Sequence, residues 1–192
     1  MAPRAIIRVA RKVSRLLAQQ EIPHALAGGL AVGLQGYNRM TMDVDFVIPK
    51  SARSAIEQLG LTTPISGQLR GVAVQVDRVD VHFLFVGKPV RQRDIASPVQ
   101  LAGFATIALV PLVAMKMGAG RHKATIDVVA LLKLGKVPVE EVEQRLAGEH
   151  LERFHGLVAI ADYERKGKPK KGRRILIAML AKAVGINHGQ AP

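Results

Sequence analysis

Residues 27–48 read AGGLAVGLQGYNRMTMDVDFVI, and the fold is decided in this stretch. The apolar run His24–Ala27 leading into it has the character of a short buried strand, which stops at Gly28-Gly29. Leu30–Leu34 supply one or two helical turns closed by Gly36, and Asn38–Thr41 form a loop. Met42–Ile48 then alternates with period two as a strand until Pro49 breaks it. Alternation sends the carboxylates of Asp43 and Asp45 out of one face of that strand. Two like charges on one face call for a counter-ion, and hard oxygen ligands of this kind suit Mg²⁺. Taken alone, Asp-x-Asp is also the mark of an acidic edge strand, and Gly-Gly is also a tight turn. Their succession is more telling. A glycine pair between strand and helix lets bare N–H groups approach a phosphate, and it is followed by Arg39, Thr41 and the paired carboxylates, so the parts can converge on one nucleotide–metal site.

Working outward, residues 4–20 form an amphipathic helix, with Ile7, Ala10, Val13 and Leu17 as its apolar stripe and Arg8, Arg11, Lys12 and Arg15 on its wet side. That stripe speaks against reading the Arg-rich, acid-free start as an organelle transit peptide. Downstream, Ser51 is an N-cap for a helix through Leu59, with Gly60 at its C-terminal side. Val72–Val76 and Val79–Val86, separated by Asp77-Arg78, read as a hairpin or a bulged pair. A polar loop with Arg91, Arg93 and Asp94 leads to a strand over Thr106–Val110. Pro111 then opens a helix to Gly118, and a further helix runs from Lys123 to Leu134. Beyond Gly135 the pattern turns purely helical, with Glu140, Glu141 and Glu143 early in a helix opened by Pro138. Tyr163–Arg174 (YERKGKPKKGRR) is the most basic stretch, kept from helix by Gly and Pro, and a last apolar helix covers Ile175–Val184. The expected architecture is α+β, a small mixed sheet flanked by helices over 1–135 with a helical appendage over 136–192.

Composition narrows the function classes. The 192 residues carry 28 Lys and Arg against 15 Asp and Glu, a net charge of +13, yet 48% are hydrophobic, so this is a packing chain and not a disordered polycation. With no Cys, a disulfide framework, a thiolate zinc site and a cysteine nucleophile are excluded, and the reducing cytoplasm is the natural address. No run reaches the roughly 18 apolar residues of a membrane span. Aromatic content of 4% without Trp weakens a base-stacking platform, whereas +13 still attracts a polyanion.

The 27–48 stretch resembles the signature of the polymerase-β-like nucleotidyltransferase superfamily: hydrophobic strand, Gly-Gly or Gly-Ser, short helix, Gly, then Arg-x-Thr-x-Asp-x-Asp. This spelling is similar to that of the AbiEii/AbiGii toxin-like branch, whose members are encoded beside an antitoxin. The resemblance implies a nucleotidyltransferase in which Gly28 and Gly29 hold the triphosphate of an NTP, Asp43 and Asp45 bind metal, and Arg39 and Thr41 shape the loop between them. The family's third carboxylate lies in a hydrophobic–Asp–hydrophobic strand pattern, matched by Val79-Asp80-Val81. Asp80 is then the general base or a ligand of a second metal, with Asp77 as the rival acid. His82 shares the Asp80 face by parity and reads as a polar residue lining the cleft or exposed. The later stretch LVPLVAMKMGAGRHKATIDVVALLK resembles the family's helical motif, with Lys116 reaching the nucleotide and Arg121, Lys123 and Asp127 supporting; a Lys that merely snorkels from an apolar helix is the lesser alternative for Lys116. Ala124 stands where that motif often has Asp. Two Mg²⁺ ions, with Mn²⁺ as the alternative, are implied. One assists the attacking hydroxyl; the other, with Lys116, offsets charge on the departing pyrophosphate.

The resemblance spans residues 23–133 and leaves the acceptor open. Toxin-like spelling and charge favour RNA, with tRNA leading, its phosphates following the first helix and residues 166–174, and a cognate antitoxin as partner. A protein or small-molecule acceptor such as an antibiotic, and a catalytically degenerate nucleotide-binding module, are the alternatives.

Overall fold

A computed structural model describes residues 4–59 and 71–166. The chain divides into two units at Leu112–Val113. In the first, α1 (Arg4–Gln19) is followed by β1 (Ala25–Ala27), α2 (Gly28–Leu34) and β2 (Asp43–Ile48). A 3-10 turn at Lys50–Ala52 leads into α3 (Arg53–Gln58). Then come β3 (Gly71–Val76), β4 (Val79–Phe85), α4 (Gln92–Ala96), β5 (Val99–Leu101) and β6 (Phe104–Thr106). The strands make one mixed sheet in the order β3-β4-β2-β1-β6-β5, with β2–β4 and β1–β6 parallel and the other pairs antiparallel.

Parity divides the central strands. Val44, Phe46 and Ile48 of β2 and Val79, Val81 and Phe83 of β4 face a core filled by Ile6, Val9, Ala10, Val13 and Leu17 of α1. Phe46 and Phe83, register partners, stack with centroids 6.3 Å apart. His24 stands edge-on to Phe46, its Nδ1–H donating to the Ile22 carbonyl at 2.9 Å and its Nε2 accepting from the Ser14 hydroxyl at 2.8 Å. Burial holds its pKa below the ordinary histidine value, against a smaller upward pull from the Ile22 hydrogen bond.

The β3–β4 connection is a two-residue turn with Asp77 and Arg78 at φ of 50° and 65°, the positive values a tight hairpin requires. Lys12 Nζ reaches the Asp77 carboxylate at 3.0 Å, bringing the middle of α1 to this turn.

Several boundaries differ from those expected. Ser51 lies within the 3-10 turn and caps nothing, because Pro49 and Ala52 occupy the two cap positions. The polar loop around Arg93 contains α4, fastened by Asp94 accepting from the Arg91 N–H at 2.7 Å. The strand expected over 106–110 ends at Thr106; its apolar, β-branched run continues into α5 (Leu109–Gly118). Pro111 is the third residue of that helix, where its missing N–H still has no intrahelical acceptor to lose. The apolar stripe of α1 is centred on Ile6 and Val9 as much as on Ala10 and Val13, with Ile7 at its margin.

After α5 the second unit contains α6 (His122–Lys133), α7 (Val139–Glu143) and α8 (Glu149–Lys166). The first four residues of the basic 163–174 stretch are therefore helical; Glu164 and Asp162 pair with Lys133 and Arg165 there. Residues 167–174, the helix expected over 175–184 and Gly60 lie outside the described residues. Among the described residues no helix is long and apolar enough to cross a membrane.

Candidate metal and nucleotide site

The face of β2 and β4 turned away from α1 carries Asp43, Asp45, Asp80 and His82 at its N-terminal end. Parallel register sets Asp43 beside Asp80 and Asp45 beside His82, so residues 37 apart in sequence become lateral neighbours. One ligand atom each from Asp43, Asp45 and His82 forms a group whose members all lie within 4.8 Å of one another. His82 Nδ1 is 3.0 Å from Asp45 Oδ1. That hydrogen bond raises the imidazole pKa; partial burial opposes it, and the charges of Asp45, Asp43 and Asp80 add to the rise.

The loop and the glycine pair close on the same carboxylates. Thr41 is 1% exposed, and its hydroxyl donates to Asp43 Oδ1 at 2.6 Å, which fixes one carboxylate oxygen. Gly28 has φ of +61°, and a Cβ built there would lie 1.6 Å from Asp45 Oδ2. A Cβ at Gly29 would lie 2.5 Å from the Thr41 hydroxyl and 2.6 Å from an Arg39 guanidinium nitrogen. The absence of side chains at 28 and 29 is thus what admits Asp45, Thr41 and Arg39. Arg39 also donates to the Met40 carbonyl at 2.9 Å. Gly28, Gly29, Arg39, Thr41, Asp43 and Asp45 are brought together in one place.

Asp80 stands on the same face, with its Oδ1 accepting from Gln75 Nε2 of β3 at 3.1 Å. Asp77, the rival acid, sits in the hairpin turn and pairs with Lys12. In the second unit, Lys116 of α5 donates to Asp127 of α6, Nζ to Oδ2 at 2.9 Å, with the Asp127 side chain 1% exposed. Arg121 precedes α6 and Lys123 lies in its first turn, both exposed, while Ala124 faces inward. Sequence parity placed His82 on the correct face but gave no sign of its contact with Asp45, which depends on the β2–β4 register.

The donor set fits a divalent cation. Two carboxylates and an imidazole converge from one sheet face, and Gly28, where any Cβ would collide with Asp45, lets that carboxylate take its place among them.

No family model matches the chain, and a comparison with curated proteins finds no match either. Solved structures do share its fold. The antibiotic-resistance factor ANT(2'')-Ia superimposes with a TM-score of 0.55 at 11% identity, covering 83% of this chain and 96% of that one. An antigenic nucleotidyltransferase-like protein from Paracoccidioides brasiliensis superimposes with a TM-score of 0.50 at 16% identity, covering 86% and 94%. The mixed six-stranded sheet with flanking helices is the nucleotidyltransferase fold.

Proposed function

We propose that this chain is a metal-dependent nucleotidyltransferase that moves a nucleoside monophosphate from an NTP to a hydroxyl of RNA, tRNA foremost. The observation that carries the reading is the Asp43–Asp45 pair, on one strand face and in register with Asp80 and His82. A divalent cation there, Mg²⁺ or Mn²⁺, supplies Lewis acidity at the reacting phosphate. Asp43 and Asp45 hold it, and Thr41 orients Asp43. Gly28 and Gly29 are assigned to the triphosphate by the sequence resemblance, through their backbone N–H groups, and Arg39 adds positive charge beside them. The acceptor oxygen bonds to the α-phosphorus as the bond to the bridging β-oxygen breaks, and pyrophosphate leaves. Asp80 takes the acceptor proton. Lys116 is assigned to the leaving group by the sequence resemblance alone.

RNA is favoured as acceptor by charge. Arg4, Arg8, Arg11, Lys12 and Arg15 are exposed along α1, and the Lys12–Asp77 pair ties that helix to the end of the sheet where β2 and β4 begin. A polyanion held on α1 lies behind the sheet and reaches the carboxylates around that end. An acidic antitoxin would suit the same basic face, and the cytoplasm is the proposed location. A second reading, transfer to a small molecule, is favoured by the fold shared with an antibiotic-resistance factor. The net charge of +13 opposes a polycationic drug.

Incubation with Mg²⁺ or Mn²⁺, each labelled NTP in turn and total RNA tests the proposal. Label in tRNA-sized species, lost in Asp43→Ala/Asp45→Ala, is the expected result. Label in a small molecule or a protein and none in RNA overturns the acceptor, and no transfer with any NTP or acceptor overturns the activity.

A further inference from the structure

We infer that His82 is itself a metal ligand of this site, and that through it the chain selects a transition-metal dication, Mn²⁺ above Mg²⁺; the inference rests on the metal-dependent reading above. On the β2–β4 ladder His82 is the lateral neighbour of Asp45, and its Nδ1 joins Asp43 and Asp45 in the convergent group. Asp80, the carboxylate the sequence pattern singles out, is engaged with Gln75 on the neighbouring strand. Ligands adjacent around an octahedral ion with bonds of about 2.1 Å are separated by about 3.0 Å. His82 Nδ1 and Asp45 Oδ1 are 3.0 Å apart, the separation of two adjacent vertices.

Chemistry then sets the preference. Mg²⁺ takes hard oxygen donors and gives up water reluctantly, so an imidazole nitrogen adds little to its binding. Mn²⁺ is also a hard ion, but it belongs to the first-row series whose affinities extend to nitrogen donors, and so gains more than Mg²⁺ from an added imidazole. A histidine that only oriented Asp45 through a hydrogen bond would leave an all-oxygen site with no such bias.

The full-length chain loaded with Mn²⁺ is examined by pulsed EPR for ¹⁴N modulation, and Mn²⁺ and Mg²⁺ affinities are measured by titration calorimetry. The wild type is expected to show imidazole ¹⁴N coupling and to bind Mn²⁺ at least tenfold more tightly than Mg²⁺. In His82→Gln the coupling disappears, Mn²⁺ affinity falls by at least about 10-fold, the least that loss of even an outer-shell partner costs, and Mg²⁺ affinity changes by less than about threefold. His82→Asn serves as the second variant should His82→Gln fail to fold, and the wild-type coupling and selectivity are read independently of either. Bound Mn²⁺ without ¹⁴N coupling in the wild type, or coupling that persists without His82, overturns the assignment of His82 while leaving the metal site standing. Mn²⁺ affinity unchanged by Asp43→Asn/Asp45→Asn overturns the metal-dependent reading and this inference with it.

Discussion

Replacing Gly28 by alanine tests how the site is built. At φ of +61° an alanine occupies the left-handed region, at a cost of about 1–2 kcal/mol. The larger effect is local. The new Cβ falls 1.6 Å from Asp45 Oδ2, and real Cβ contacts do not close below 3.0 Å, so the carboxylate must retreat by at least about 1.4 Å. A reacting constellation tolerates about 0.5 Å, and misplacement by about 1 Å costs roughly 10²-fold in rate. Gly28→Ala should therefore lower Tm by about 2–8 °C, weaken divalent-cation binding and reduce nucleotidyl transfer by about 10²-fold or more. Gly33→Ala in the same helix is the control. Nothing lies within 4 Å of a Cβ there, and the substitution should stabilise by about 0.5–1 kcal/mol with activity intact. Thermal melts, calorimetric Mn²⁺ titration and labelled-NTP transfer on the three proteins give the answer. A Gly28→Ala protein whose metal affinity and transfer rate stay within threefold of wild type would refute the account of the glycine as space for Asp45.

Thr41→Val removes the buried donor to Asp43 at 2.6 Å and should cost about 1.5–3 kcal/mol, with weaker cation binding; an unchanged melt and titration would show that the hydroxyl positions nothing. Lys116→Met leaves buried Asp127 without its ammonium partner at 2.9 Å and should cost about 3–5 kcal/mol. Lys116→Met/Asp127→Leu should recover most of that loss in a denaturant melt, and failure to recover would locate the cost in packing. For His24 the folded pKa lies below the ordinary value through burial, so the unfolded chain binds the proton more readily. Its stabilising contribution is complete above about pH 6.5 and is lost as pH falls from there through the folded value. His24→Gln should flatten the difference in Tm between pH 8 and pH 5, and an equally steep fall in the variant would assign the pH dependence elsewhere.

The parts legible in the sequence are those governed by local rules. Period-two alternation over 43–48 placed both carboxylates on one face, and Asp77-Arg78 between two β-rich runs announced the hairpin that forms. Where the reading failed, the local signal was divided. Val99–Leu101 and Phe104–Thr106 are three-residue strands around an Ala102-Gly103 turn with φ of 49° and 80°, too short to establish a period; the turn pair was the available clue. The run from Thr106 to Val110 suits a strand or a buried helix equally. It divides because Ile107 N–H bonds to Leu26 O and the helix begins two residues later. His82 shows a further limit, since its meeting with Asp45 depends on which strands pair and in what register, information that no window around residue 82 contains.

That register is itself a product of the opposite face of the sheet. Phe46 lies beside Phe83 and Val44 beside Val81, all fully buried against α1. A slip of β4 by one residue would turn Asp80 and His82 into this core and expose Val81 and Phe83. The Asp80 carboxylate and the His82 imidazole would then lose hydration without partners, at several kcal/mol for the carboxylate alone, while a phenyl turned out of the core would forfeit a further 1.5–3 kcal/mol or so. The candidate ligands are therefore held in line by apolar packing on the side of the sheet they do not face. Helix α1 contributes at both levels. Its apolar stripe fixes the register that assembles Asp43, Asp45 and His82, and its arginines sit on the outer side of the same cylinder, tied through Lys12 and Asp77 to the strand ends where those residues begin. A change in the packing of α1 should consequently disturb the metal site and the cationic surface together, whereas charge substitutions at Arg4, Arg8 or Arg15 leave the register untouched and isolate the contribution of the surface alone.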